Sequence, residues 1–128
     1  MDDSTYYLDM VPESAHPYPS ELPVLAVRDT VVFPLTLQPL AISRPHSVES
    51  VNRALATDRL LFLTLQTAEV DEPEPADLKV TGTIAVIRQM AKVPGGGVHV
   101  IVEGLTRAKS TVVTKSELSL RATVEPDA

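Results

Sequence analysis

The chain lacks cysteine altogether and is short of aromatic residues, with two Phe, three Tyr and no Trp in 128 residues. The first absence excludes a disulfide scaffold, a Cys-ligated zinc or iron–sulfur centre and a thiol nucleophile. It suits a reducing compartment, and a cytoplasmic location is the expectation. The second leaves few rings on which nucleobases could stack. No apolar run approaches the roughly 20 residues that a membrane-spanning helix requires, so no membrane association is expected. No Lys or Arg precedes Arg28, and Asp2, Asp3 and Asp9 give the opening residues the wrong charge for a secretory leader.

What is present fits a soluble globular chain. The 44% hydrophobic and 22% charged content is too apolar for a disordered chain, and the length suits one domain with a real core. Eleven bases against 17 acids give a net charge of −6, an excess that opposes a dedicated nucleic-acid binder. That excess is local. Residues 1–21 hold five acids, no base, all three tyrosines, and Pro12, Pro17 and Pro19, with neither a helical nor a strand period. They read as a flexible acidic tail before one β-domain over residues 22–128. The stretch from Glu69 to Asp77 holds five more acids with Pro73 and Pro75, which fits only an exposed loop. The remaining seven acids face all 11 bases, so the rest of the chain is mildly basic, about +4, with its bases scattered in sequence.

Between these landmarks the pattern is mostly strand. Val24–Val27 and Val31–Phe33 flank a turn at Arg28–Thr30. Leu35 to Ile42 is apolar, but Pro34 and Pro39 cannot donate to a central ladder, so an edge strand or bulged crossing segment is expected. Pro45 suits a first helical turn, and Val48, Val51 and Leu55 with Ala54 recur at helical spacing up to about Thr57–Asp58. Leu60–Leu65 is continuously apolar, as in a strand buried on both faces. Val80–Lys92 and Val98–Glu103, joined by Pro94-Gly95-Gly96-Gly97, make a hairpin, with Val98, Val100 and Val102 on one face. Gly82 and Gly104 suggest bulges or bends. Two further strands are expected at Thr106–Thr114 and Leu118–Glu125. The fold class is thus mainly β with one packed helix (α+β), about six strands in a curled sheet or partly closed barrel.

No catalytic constellation emerges. Gly95–Gly97 runs into Val98-His99 inside a hairpin, not into the Lys-Ser/Thr and helix of a phosphate loop. His16, His46 and His99 share no metal-ligand spacing. Ser110 beside Lys109 and Ser116 beside Lys115 are strand neighbours whose side chains diverge. The acidic loop lacks the Asp-x-Asp-x-Asp-Gly order of a calcium loop. By its residues alone the chain is a β-rich binding or scaffold module and not an enzyme.

Three stretches in register resemble one family. Leu22-Pro23-Val24-Leu25-Ala26-Val27-Arg28-Asp29-Thr30-Val31-Val32-Phe33-Pro34, with Pro39-Leu40 following, is similar to the opening of the N-terminal domain of Lon, the ATP-dependent protease La. Gly82 to Pro94 with its Gly turn resembles that family's central hairpin. Val102-Glu103-Gly104-Leu105-Thr106-Arg107-Ala108 resembles its Val-Glu-Gly-Leu-x-Arg-Ala signature. The departures are Ala26, where the family often has a second proline, and a longer tail. The resemblance implies a PUA-like pseudo-barrel that recognises unfolded, damaged or degron-bearing proteins for ATP-driven degradation by an intact hexameric enzyme. It also implies that ATP and Mg belong to a separate ATPase module and the Ser–Lys dyad to a protease domain, so no cofactor is expected in this chain. The end at Ala128, just after a strand, points to a fragment of such a protease. A standalone Lon-N-domain-like interaction module, or a structural domain supporting hexamer geometry, is the alternative. The piece itself is expected to be a monomer or weak dimer. RNA binding by analogy with PUA-like folds is disfavoured by the few aromatics and the absence of a basic cluster.

The candidate substrate-binding residues are Pro34, Leu35, Leu37, Pro39 and Met90. The Pro-interrupted segment Phe33–Leu40 is expected to leave unpaired backbone groups and apolar side chains near the surface, available for strand addition or apolar contact. Met90 is flexible enough to serve a promiscuous apolar patch. Phe33 is expected in the core, whereas Leu35, Leu37 and Met90 are balanced between core and surface.

Overall fold

The computed structural model describes residues 18–116 and 119–126. Most of the acidic tail, Met1–Pro17, therefore lies outside the described residues. The elements are β1 (Glu21–Val27), β2 (Leu37–Ile42), α1 (Pro45–Leu55), β3 (Leu60–Leu65), a 3-10 turn at Pro75–Asp77, β4 (Thr81–Lys92), β5 (Val98–Ser116) and β6 (Ser119–Pro126). Among the described residues, the six strands and one α-helix match the expected content.

The sheet order is β2-β5-β4-β3-β1-β6, and β6 also pairs with β5. Five strands thus form a closed ring, with β2 outside it as an edge. The 19-residue β5 makes this possible. Along one side it pairs with β4 from Val98 to Lys109; along the other it pairs with β2 over Val98–Glu103 and with β6 over Ala108–Ser116. The expected separate strands at Val98–Glu103 and Thr106–Thr114 are one strand, because Gly104 and Leu105 bend it without breaking it.

The register shows how. Ala85 pairs with Gly104 while Ile84 pairs with Thr106, leaving Leu105 as the extra residue of a bulge. Before it, Val98, Val100 and Val102 face one core cluster; after it, Ala108 faces another, although strict alternation would keep all four on one face. The bulge therefore transfers β5 from one core to the other. A second register shift leaves Arg88 over between Ile87↔Val102 and Gln89↔Ile101. Gly104 sits at a bulge as expected. Gly82 does not; it is bare because a Cβ there would overlap the Leu63 carbonyl and the Phe62 ring.

The first core cluster joins Leu25, Leu61, Leu63, Ala85 and Ile87 to Val51 and Ala54 of α1 and Ile42 of β2. The second joins Leu22, Val24, Phe62 and Ile84 to Leu120, Ala122 and Val124. Because β1 and β3 supply residues to both, their sequences are apolar apart from Glu21 and Thr64. Phe62 is fully buried, and deleting such a ring costs about 3–5 kcal/mol. The helix starts at Pro45, carries the Glu49–Arg53 pair at 3.1 Å one turn apart, and lays Val51 and Ala54 on the sheet.

The expected strand Val31–Phe33 does not form. Val32 is buried, and its carbonyl accepts the Thr83 hydroxyl at 2.7 Å, while Val31 and Phe33 point outward. The segment instead docks on Gly104: Leu35 N–H donates to the Gly104 carbonyl at 2.7 Å, and Gly104 N–H donates to the Thr36 carbonyl at 3.0 Å. A Cβ on Gly104 would overlap the Phe33 carbonyl oxygen. Gly104→Ala is accordingly expected to cost about 2 kcal/mol, read as a lowered urea midpoint, with faster amide exchange at Leu35. An unchanged midpoint would show that the contact is not tight.

Candidate functional site

The docked segment produces a row of exposed apolar side chains. Val31 is 47% exposed, Phe33 55%, Leu35 83% and Leu37 63%. Phe33 is thus not a core residue, contrary to expectation: Val32 takes the inward position, and the chain's alternation turns both its neighbours out. Among the described residues the fully buried aromatic is Phe62, with Tyr18 partly buried against the same cluster. Leu35 stands at the tip with φ of 67°, a left-handed conformation that costs a bulky L-residue about 1–2 kcal/mol. Thr36 holds the turn closed, its hydroxyl donating to the Phe33 carbonyl at 2.6 Å and its N–H to the same oxygen at 3.3 Å. These bonds fix the path of the chain from Phe33 to Thr36.

The expectation of unpaired backbone along Phe33–Leu40 holds only in part. Leu35 and Thr36 are hydrogen-bonded as above, Pro34 bridges to Gly104, and Leu37–Ile42 pairs with β5. Among the described residues, the outer edge of β2 is left unpaired and open to strand addition, the position at which Pro39 is tolerated.

The five candidate residues fall into two places. Pro34, Leu35 and Leu37 belong to the ridge. Pro39 and Met90 line a separate cavity of about 470 Å³ on β2, β5 and β4, floored by three cross-strand rows: Pro39–Ile101–Gln89, Leu40–Val100–Met90 and Ala41–His99–Ala91. Met90 is 36% exposed and reaches its row because of the Arg88 bulge. Leu35 and Leu37 do not line this cavity.

A polar latch escaped sequence reasoning because its members are far apart in the chain. Arg44, just before α1, donates to the Gln66 side-chain oxygen at 2.7 Å and to the Ala26 carbonyl at 2.8 Å. Gln66 in turn donates to the carbonyls of Ala68 and Val70. The buried His46 ring donates from Nε2 to the Asp71 carbonyl at 2.9 Å, and Arg28 reaches the Asp71 carboxylate at 2.8 Å. The acidic loop is thus largely exposed, with Pro73 buried; this network holds its start, and the Glu74–Lys115 pair and the Thr67 hydroxyl on the Asp77 carbonyl hold its later part. The Arg28–Asp71 pair is solvent-exposed and contributes at most about 1 kcal/mol; the buried hydrogen bonds hold the loop. Burial lowers the Arg44 pKa, helped by nearby Arg28 and opposed by Asp71. Burial likewise lowers the His46 pKa below its ordinary 6.5, against the bond to Asp71.

Gly95, Gly96 and Gly97 all have positive φ in the tight β4–β5 turn and lead into a strand, so no helix N-terminus receives a phosphate. Among the described residues there is no group of three or more metal-ligating side chains, and no helix is long and apolar enough to cross a membrane. His16 lies outside the described residues. The bases are not as scattered as the sequence suggests: Lys79 and Arg107 line one cavity, with Lys109 two residues along the same strand.

Comparison with known proteins gives a consistent result. Residues 21–128 match the family of ATP-dependent protease La (LON) substrate-binding domains. The chain is similar to Lon protease of Solibacter usitatus, 41% identical over 104 residues, which are 80% of this chain and 13% of that protein. It is 47% identical over 90 residues to Lon protease 1 of Thermus thermophilus, covering 70% of this chain and 11% of that one. It therefore spans only about an eighth of the curated relatives it matches. Its fold is shared by the N-terminal domain of Mycobacterium avium complex Lon protease, with a TM-score of 0.69 at 24% identity over 84% of this chain and 55% of that one. The Lon N-terminal domain protein from Xanthomonas campestris superposes with a TM-score of 0.64 at 16% identity, covering 86% and 63%.

The latch has a pH signature. Between the lowered pKa of folded His46 and about 6.5, the unfolded chain takes up a proton that the folded chain resists, so stability falls as pH falls through that window. Urea midpoints are expected to decline from about pH 7.5 to 5.5, and His46→Gln to remove part of that slope. An identical slope in the variant would assign the effect elsewhere.

Proposed function

Because the chain belongs to the family of ATP-dependent protease La (Lon) substrate-binding domains, we propose that it is the substrate-recognition domain of a Lon-type protease. In this reading it binds unfolded, damaged or degron-bearing proteins, and an intact cytoplasmic enzyme then degrades them. Hexamer assembly, ATP and Mg, and the Ser–Lys dyad are assigned to other modules of that enzyme. The chain itself is assigned neither a cofactor nor a reaction.

The observation that supports this most is the run of exposed apolar side chains Val31, Phe33, Leu35 and Leu37. Burying one such side chain against a partner is worth about 1.5–3 kcal/mol before the costs of association. A surface of this kind suits many sequences, because apolar contact is not directional. The free edge of β2 adds backbone hydrogen bonds that are equally indifferent to sequence. The cavity holding Pro39 and Met90 continues along the same strand and offers a second apolar contact, with the methionine adjusting to its occupant.

Adding a permanently unfolded protein to isotope-labelled chain is expected to shift the amides of Phe33–Leu40 and Met90. Leu37→Asp should weaken binding about tenfold or more and lower the urea midpoint only modestly, since the side chain is exposed and the carboxylate it would face, Glu103, is already paired with Arg88. Shifts confined to other faces, or undiminished binding by the variant, would contradict the reading.

A further inference from the structure

The ridge begins beside charge. Five of the 11 bases (Arg59, Lys79, Lys92, Arg107 and Lys109) have no carboxylate partner among the described residues, whereas Arg28, Arg53, Arg88, Lys115 and Arg121 are each paired. Lys79 and Arg107 come together in a cavity of about 260 Å³, although 28 positions separate them in sequence. The sheet brings them there. Arg107 lies opposite Thr83, and Lys109 opposite Thr81, so both bases share a face with those threonines. Lys79 precedes Thr81 by two residues, its backbone anchored by N–H donation to the Leu65 carbonyl at 2.9 Å and by the Thr64 hydroxyl on its own carbonyl at 2.7 Å. The third wall of the cavity is Val31 and Val32, where the apolar ridge starts.

An apolar row running directly into cations with no carboxylate partner among the described residues defines a composite surface. Its complement is an apolar segment with a carboxylate at one end. We propose that the Lys79–Arg107 cavity binds an acidic side chain of the partner that flanks the apolar residues seated on the Val31–Leu37 ridge. The preferred partner is then unfolded polypeptide in which Asp or Glu adjoins a hydrophobic stretch. This rests on the ridge being the substrate surface and adds the charge it selects. The cations are exposed, so each contact is modest and salt-sensitive, and it governs preference and encounter rate more than total affinity.

The test uses the full chain and two fluorescent peptides with the same apolar core, one flanked by two Glu and the other by two Gln, followed by anisotropy. At about 50 mM NaCl the Glu peptide should bind about fivefold more tightly, and the difference should vanish at about 500 mM. It should also vanish in Lys79→Gln/Arg107→Gln but persist in Arg59→Gln/Lys92→Gln, which removes the same charge elsewhere. Equal binding of both peptides, with Leu37→Asp weakening both, would overturn the cation role and leave the ridge standing. Failure of both peptides to bind would overturn the ridge and this inference together. Displacement of the Glu peptide by a single-stranded RNA, lost in the Lys79→Gln/Arg107→Gln chain, would reassign the cavity to phosphate and overturn it as well.

Discussion

The missing side chain of Gly104 is the constraint on which both the fold and the candidate site depend. Where any other residue would place a Cβ, the Phe33 carbonyl oxygen sits. The same glycine exchanges backbone hydrogen bonds with the turn through Leu35 N–H and the Thr36 carbonyl. It also immediately precedes the bulge at Leu105. One backbone position therefore bends β5, lets the Phe33–Thr36 turn settle against it, and fixes Leu35 in a left-handed conformation that an unsupported chain would leave.

From that position the architecture divides the work of the strands. The bulge lets β5 serve the helix-covered core with Val98, Val100 and Val102, then the second core with Ala108, while pairing with β2, β4 and β6 in succession. Two filled cores on opposite faces of β1 and β3 give a stiff frame. Onto its edge the chain places an apolar ridge that contributes little to the core. Exposing Phe33, Leu35 and Leu37 while straining Leu35 is unfavourable for the isolated chain, which is the pattern expected where a partner is to be bound.

Much of this was legible in the residues. Pro39 marked β2 as an edge, Pro45 marked the start of α1, and the run Leu60–Leu65 marked a strand buried on both faces. Val98, Val100 and Val102 alternate as a half-buried strand should. The continuity of β5 was not legible, because Gly104 in a strand pattern reads equally as a break or as a bulge. Phe33 misled because an isolated phenylalanine between valines has the composition of a core strand, and only the docking of Val32 on Thr83 shows which way it faces. The Asp71 latch and the meeting of Lys79 with Arg107 join residues whose proximity is created by the topology, and no local pattern announces them.

In the proposed function, the ridge keeps an unfavourable shape for the sake of binding unfolded protein. Leu35→Asn tests it most directly, since Asn tolerates positive φ and removes the exposed apolar side chain. This variant is expected to unfold at a higher urea concentration, by about 0.5–1 kcal/mol, while binding unfolded protein several-fold more weakly. A variant that loses stability, or that binds unfolded protein as well as the parent chain, would contradict it.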